Sequence, residues 1–369
     1  MNPGLYIHVP FCGSKCPYCG FYSIASHSLI TRWMKAIKRE ISYYRGSFGE
    51  FDSLYLGGGT PSFLEIKDIG DIMDHLSRSF RFTGGTEITL EANPGDISKD
   101  KVRAFKSIGF NRINLGVQSF DDRELTFLGR RHSAEEAERS INCLRSEGFD
   151  NVGVDLIYGV EGQSIRDWSK SLDKTVSFKP EHISCYQLNI EMKTPFWKKR
   201  ERGGLKDLSE EEEVEFFNFT SGFLERKGYI HYEISNFARN ESFMSRHNCK
   251  YWSHEPYLGL GPSAHSFSER DRWWNFSSIR RYCDAIEKGE APIEGREVLT
   301  DEQIALETLS LGFRTRKGFE KEAVRHLPGS DDILSKLQDS NLARVEKDRI
   351  IPTRKGFLVA DSLPLMFFK

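Results

Sequence analysis

The chain has 369 residues, long enough for a large core and for two or three domains, and its 52 basic against 54 acidic residues leave a formal charge of −2. That balance excludes wholesale electrostatic binding of nucleic acid and a basic tail for anionic membranes, and no apolar run approaches the ~20 residues of a membrane span. The first residues carry no charged and apolar leader pattern, and Cys143, Cys185, Cys249 and Cys283 are scattered without pairing rhythm, so a cytoplasmic, reducing setting is expected.

In chain order, residues 1–190 alternate short apolar runs with longer amphipathic ones, the pattern of β/α units around a parallel sheet. Six strands are predicted: Leu5 to Val9, Ser53 to Leu56, Glu87 to Glu91, Arg112 to Gly116, Val152 to Ile157 and His182 to Gln187. Ile30, Trp33, Ile37, Ile41 and Tyr44 recur at helical spacing after the first strand, and Ile66, Ile69, Met73, Leu76 and Phe80 after the second. Ser133 with Glu136 reads as a capping box for a helix that stops at Gly148, and Ser164 opens the next one. Six units predict an open, partial (β/α)6 barrel of TIM type, whose ligand face is the C-terminal end of the strands.

The unusual residues fall at that end. Strand one leads into Cys12-Gly13-Ser14-Lys15-Cys16-Pro17-Tyr18-Cys19, where three thiols lie in eight residues. Such spacing suits metal or cluster ligation better than disulfides: zinc, with His8 as a local fourth ligand, or an iron–sulfur cluster held at three of its irons. Strand two is followed by Gly57-Gly58-Gly59-Thr60-Pro61, strand three ends in Glu91, strand four runs into Gln118, and strand five carries Asp155. Singly, a glycine triplet is a tight turn, Glu91 and Asp155 are helix caps or ion-pair partners, and Gln118 and Arg130 are surface residues. Their convergence on one sheet end with three thiols favours a ligand site that holds a cluster rather than zinc.

Residues 191–299 read as a helical connection followed by an aromatic and histidine-rich region. Ser209 with Glu212 forms a capping box, with Phe216, Phe219, Phe223 and Leu224 on one helix face and a stop near Gly228. Between Phe243 and Phe276 lie His247, His254 and His265 among Tyr251, Trp252, Tyr257, Phe267, Trp273 and Trp274. Two readings stay open there, a flat pocket with an axial ligand for haem, and an aromatic plug between domains. Residues 300–369 outline a mainly helical, winged-helix-like domain, with a helix from Thr300, another through Ile333 and Leu337, a wing over Ala343 to Pro352, and a last helix from Arg354 to Leu365. Nothing basic is concentrated there to favour DNA, and a DNA-binding cluster sensor rests on that outline alone.

Cys12-x3-Cys16-x2-Cys19 with Tyr18 before the last cysteine is similar to the motif of radical S-adenosylmethionine (SAM) proteins. With Leu5 to Phe11, Gly57 to Pro61, Glu91 to Pro94 and Gly116 to Phe120, the whole chain resembles the branch holding oxygen-independent coproporphyrinogen III dehydrogenase and the HemW family of haem chaperones. Phe21, where the dehydrogenase has a fourth cysteine, and His247-Asn248-Cys249-Lys250-Tyr251-Trp252 choose the chaperone family; Val160-Glu161 departs from its usual Leu-Pro. The resemblance implies a 4Fe-4S cluster on Cys12, Cys16 and Cys19, and S-adenosyl-L-methionine contacted by Tyr6, Gly59 and Glu91 beside Tyr18 and the Gly57-Gly58 cradle. Thr60, Gln118, Arg130 and Asp155 match contacts to a second SAM in the dehydrogenase, and His247 matches the haem motif. It also implies haem and apo-haem proteins of the respiratory membrane as partners, with cluster and SAM serving structure, homodimer formation or release. The alternative it leaves is a decarboxylating dehydrogenase or another radical SAM oxidoreductase acting on a tetrapyrrole.

Overall fold

The protein was analysed as a computed structural model that describes residues 2–368, so Met1 and Lys369, the outer ends of the first and last predicted domains, lie outside the described residues. The strands β1 (Gly4–Val9), β2 (Phe51–Gly58), β3 (Phe82–Ala92), β4 (Arg112–Gln118), β5 (Val152–Tyr158) and β6 (His182–Gln187) are parallel neighbours in sequence order. All six stand where the residue pattern puts them. Side chains alternate along them, so Leu5, Ile7 and Val9, Leu54 and Leu56, Ile113, Leu115 and Val117, and Val152, Val154 and Leu156 form one continuous apolar face. The helices Ile30–Tyr43, Ile66–Ser79, Lys99–Ile108, Ala134–Ser146 and Ile165–Ser177 cover that face with buried Trp33, Ile37, Ile69, Leu76, Phe105, Ile141 and Trp168. The capping boxes at Ser133 and Ser164 are both formed, and Gly148 takes φ +82° just past its helix. The opposite face carries Tyr6, His8, Tyr55, Glu91, Asn114, Gln118 and Asp155 and lines the lumen. Among the described residues no ladder joins β1 to β6, so the barrel is partial.

Residues 191–299, expected as a helical connection followed by an aromatic and histidine-rich region, contain strands that this reading lacked. The helix Glu210–Arg226 is present with its Ser209 capping box, but the segment also supplies six strands to the same sheet. β7 (Ile230–Glu233) and β8 (Asn236–Ala238) add antiparallel beyond β6. β9 (Tyr257–Leu260) lies parallel to β1, and β10 (His265–Ser268), β11 (Asp271–Asn275) and β12 (Ile293–Val298) extend it antiparallel. An open barrel leaves the edges of β1 and β6 with unpaired backbone groups, and these short strands satisfy them. Their brevity and mixed polarity hide the strand signal. A buried carboxylate ties the extension to the first helix: Glu40 accepts from Tyr282 Oη (2.6 Å), Asn275 Nδ2 (2.6 Å) and the Gly261 amide (2.8 Å). Burial pushes its pKa up to about 7.

The C-terminal unit has its own buried cluster, from Leu309 to Phe367. Its helix Asp301–Gly312 is followed by β13 (Phe319–Glu320), the helices Glu322–Arg325 and Ser330–Asp339, and the hairpin β14 (Ala343–Glu346) and β15 (Arg349–Pro352), in the sheet order β13-β15-β14 of a winged helix. The predicted last helix is corrected. It is one turn, Arg354–Phe357, followed by a 3-10 turn at Pro364–Met366, where proline has no amide to continue a helical ladder.

Candidate functional site

β1 delivers the cysteine loop to the barrel mouth. The loop is closed by the Cys12 amide on Ile24 O (3.1 Å) and the Ile24 amide on Pro10 O (2.8 Å), while Phe11 anchors it edge-on against Trp33, ring centroids 5.5 Å apart. Cys12, Cys16 and Cys19 are free, half-buried thiols around a cavity of about 60 Å3. Each of the first two has a donor aimed at its sulfur: Thr60 Oγ1 reaches Cys12 Sγ at 3.4 Å, and Arg130 Nη1 reaches Cys16 Sγ at 3.5 Å. Burial raises the pKa of the Cys19 thiol. His8 does not complete a zinc tetrahedron. Its Nδ1 bonds Tyr6 Oη (3.1 Å) and its Nε2 bonds Tyr22 O (2.9 Å), and among the described residues no three His, Cys, Asp or Glu side chains converge on a single-ion position.

The end of β2 lies directly on that loop. The Gly59 amide bonds Val9 O and the Thr60 amide bonds Phe11 O, both at 2.8 Å, and a Cβ on Gly59 would stand 2.6 Å from Phe11 O. Gly58 takes φ +105°, and its missing side chain leaves room for the His8 ring. The Gly58 amide donates to Glu91 Oε2 (3.0 Å) and Tyr55 Oη to Oε1 (2.8 Å). Burial, with repulsion from Asp155 behind it, raises Glu91 to about 7 despite those donors.

Across the lumen Asn114 Nδ2 donates to Asp155 Oδ2 at 2.5 Å, while Asp155 Oδ1 is buried with no hydrogen-bond partner. Arg130 spends Nη2 on Gly116 O (2.8 Å), and its Nε is also buried and unpartnered. Gln118 adopts φ +69° where β4 slips register against β5, and its amide nitrogen folds over Gly116. A buried carboxylate oxygen and a buried guanidinium N–H without partners are costly unless a ligand completes them. The donor set at the sulfurs, the glycine cradle and these orphaned atoms fit a thiolate-bound cluster beside an amino-acid and ribose-bearing ligand.

These groups open onto one cavity of about 400 Å3. Of the predicted residues, Tyr18, Cys19, Gly58, Gly59, Thr60, Glu91, Gln118, Arg130 and Asp155 line it, and Cys12 and Cys16 line the smaller cavity alongside. Gly57 lies beneath the Glu91 carboxyl, and Tyr6 turns its hydroxyl to His8, so neither reaches the wall. Tyr55, Asn114 and Ser184 also line the cavity and were missed, while Tyr186 lines it where strand six reaches the expected ligand face. The signal for the missed three was the alternation itself, which puts every second residue of each strand on the lumen side.

His247 does not open onto that cavity. It is 1% exposed beneath the lumen, with its ring packed against those of Tyr6 (centroids 6.1 Å) and Tyr55 (5.3 Å), which themselves stand 6.2 Å apart. Its Nδ1 bonds Ser53 Oγ (3.1 Å) and its Nε2 bonds Tyr251 Oη (2.8 Å), so neither nitrogen is free to bind iron in this conformation. Burial, with Lys250 nearby, pushes its pKa down to about 3. The helix carrying it, Arg246–Trp252, is fastened by Glu87, which accepts from the Arg246 and His247 amides (3.2 and 3.1 Å) and faces Arg112 at 3.7 Å. Of the rival histidines, His254 stacks on Phe267 and holds its Nε2 3.0 Å from Glu307 Oε2, an ion-pair contact when the ring is protonated. His265 is exposed beside Trp274, with no hydrogen bond to its ring among the described residues.

Residues 6–175 match the Radical SAM superfamily. The chain is 33% identical over 370 residues to the "Heme chaperone HemW" of Bacillus subtilis (strain 168), covering 97% of each chain, and 30% identical to the protein of the same name from Lactococcus lactis subsp. lactis (strain IL1403), covering 97% of this chain and 95% of that one. Its fold superposes on coproporphyrinogen III oxidase (HemN) from Escherichia coli with a TM-score of 0.85, over 99% of this chain and 90% of that one, at 23% identity. That likeness gives the fold. With a cysteine loop, a glycine cradle and a polar lumen on such a scaffold, and with full-length relatives at this identity, the chain belongs to the HemW family of the radical SAM superfamily.

Proposed function

We propose that this chain is a haem chaperone that binds haem and passes it to apo-haem proteins of the respiratory membrane, and that it holds a 4Fe-4S cluster and SAM in the barrel mouth. The observation that carries the reading is its full-length likeness to curated proteins named heme chaperone. Phe21 supports it against the dehydrogenase: where that enzyme has a fourth cysteine, this chain sets an apolar ring 70% exposed at the cavity rim. No helix among the described residues is long and apolar enough to cross a membrane, so delivery would be from the surface.

In this proposal Cys12, Cys16 and Cys19 hold three irons, with Thr60 and Arg130 donating to the sulfurs. Cluster and SAM together supply one-electron cleavage of a sulfonium when bound. Glu91 and the Gly58-Gly59 backbone receive the amino group, and Asp155 Oδ1 and Arg130 Nε take the remaining hydroxyl and carboxylate groups. Haem ligation by His247 would require the 246–252 helix to leave Ser53 and Glu87, whereas His265 is free without rearrangement. The parts 1–190, 191–299 and 300–369 belong to the same proposal as the partial barrel with the cluster and SAM site, the connection with the haem-motif region, and the winged-helix-like domain. The test is anaerobic reconstitution, then addition of haem, SAM with a one-electron reductant, and coproporphyrinogen in turn, while absorption and products are recorded. A saturable Soret shift with coproporphyrinogen untouched is the expected result, and its consumption would establish the enzyme instead.

A further inference from the structure

A second concavity, of about 580 Å3, lies between the barrel edge and the small C-terminal sheet. Its walls come from β7 and the residue before it (Tyr229, Ile230) and from β15 and the turn after it (Ile351, Phe357), and three arginines border it, Arg316, Arg344 and Arg354, against one carboxylate, Glu225. Glu225 is already engaged by Arg354. Arg344 has only an exposed contact with Glu346 at 3.4 Å, and Arg316 makes no ion pair or side-chain hydrogen bond among the described residues. The local potential is therefore positive. His231, buried behind the groove, registers it: burial lowers its pKa to about 4, and Arg354 and Arg316 push the same way.

The backbone around the groove is also unfinished. β7 is the terminal strand of the large sheet and β14 an outer strand of the small one. Residues 314–316 bond along β7 only at Tyr232 and Ile234, with Arg316 N on Tyr232 O at 2.9 Å and Ile234 N on Arg314 O at 3.2 Å. Neither the Ile230 end of β7 nor the outer edge of β14 has a further strand beside it among the described residues. Unpaired strand edges next to Arg316, which has no acidic partner among the described residues, and Arg344, held only by an exposed contact, suit an extended, negatively charged polypeptide, because backbone pairing gives affinity and the forked guanidinium groups grip carboxylates. A lipid surface would need a protruding apolar face, and this site is concave.

We propose that the groove docks an extended acidic segment of a partner protein, with Arg316 and Arg344 holding its carboxylates. That the partner is a haem acceptor rests on the chaperone reading; the docking does not.

The probe is a fluorescein-labelled synthetic peptide alternating glutamate and valine, with a lysine-valine peptide as counterpart, titrated by anisotropy against the full, cluster-reconstituted chain. Saturable binding of the glutamate peptide alone is expected, weakening as NaCl rises from about 0.05 to about 0.5 M. The double variant Arg316→Glu/Arg344→Glu should lose about tenfold or more in affinity, and Arg316→Gln/Arg344→Gln somewhat less, with melting temperature and haem spectrum unchanged. Equal binding by wild type and both variants, no binding at low salt, or equal displacement by millimolar inorganic phosphate overturns the proposal. So does arginine-dependent binding of phosphatidylglycerol vesicles without peptide binding. Peptide docking by a wild-type chain that fails to bind haem would remove the chaperone reading and leave the groove's role standing.

Discussion

The mouth and the floor of the same barrel are built on opposite principles. At the mouth polar atoms are left incomplete: Asp155 Oδ1 and Arg130 Nε have no partners, Gln118 sits in a left-handed conformation, and three thiols face a cavity. At the floor Glu87 caps the 246–252 helix and both nitrogens of His247 are bonded, while Arg112, which faces Glu87 and also lines the cavity, keeps a buried Nε without a partner. Buried polar groups without partners mark where a ligand belongs, and a histidine with both nitrogens engaged marks a structural joint. Chemistry-bearing residue types occur at both ends; satisfaction separates them.

The comparison breaks most visibly at the cysteines. Cys16→Ser should abolish the oxygen-sensitive iron chromophore and most bound iron while the cluster-free protein melts as wild type does, because the loop is held by backbone bonds and Phe11. Iron content and a thermal melt check both halves. At the floor the expected loss is of stability. Arg112→Leu strands the buried Glu87 carboxylate and should cost about 3–5 kcal/mol in urea unfolding, whereas a loss below about 1 kcal/mol would show that the floor is not a joint.

His247→Ala sharpens the contrast. It removes a stacked ring and leaves Ser53 and Tyr251 without partners, for a loss of about 2–3 kcal/mol in the haem-free protein. If His247 is the joint described here, the Soret band of the folded variant stays in place and His265→Ala moves it. A lost Soret band at unchanged stability would instead put His247 at the iron.

The smallest effect is on pH dependence. Glu91 has a folded pKa of about 7, above that of an unfolded glutamate near 4.3, so the native state holds the extra proton between these values. Its contribution is complete below about pH 4.3 and is lost as pH rises through about 7, and Glu91→Gln should flatten that decline by about 1 kcal/mol after screening by the open cavity. Glu40 titrates in the same range, so the difference between the two unfolding curves, not either alone, isolates Glu91.

The sequence by itself determined the six parallel strands, their covering helices, the cysteine loop and the cradle beside it. Those features are local: strand alternation, helical spacing, capping boxes and ligand spacing are each complete within a short stretch of chain. It also placed Glu91, Gln118 and Asp155 at the ligand face, since strand C-termini in such folds converge there, whereas Arg130 entered through the family resemblance. Only the tertiary structure decided that residues 230–298 finish the sheet edges, that Tyr55, Asn114 and Ser184 share the lumen, and that Arg316 and Arg344 meet across a groove. It alone decided the state of His247, whose two partners come from β2, 194 residues away, and from the next turn of its own helix. Whether a polar side chain is satisfied depends on neighbours brought from distant parts of the chain, and no local pattern encodes that closure.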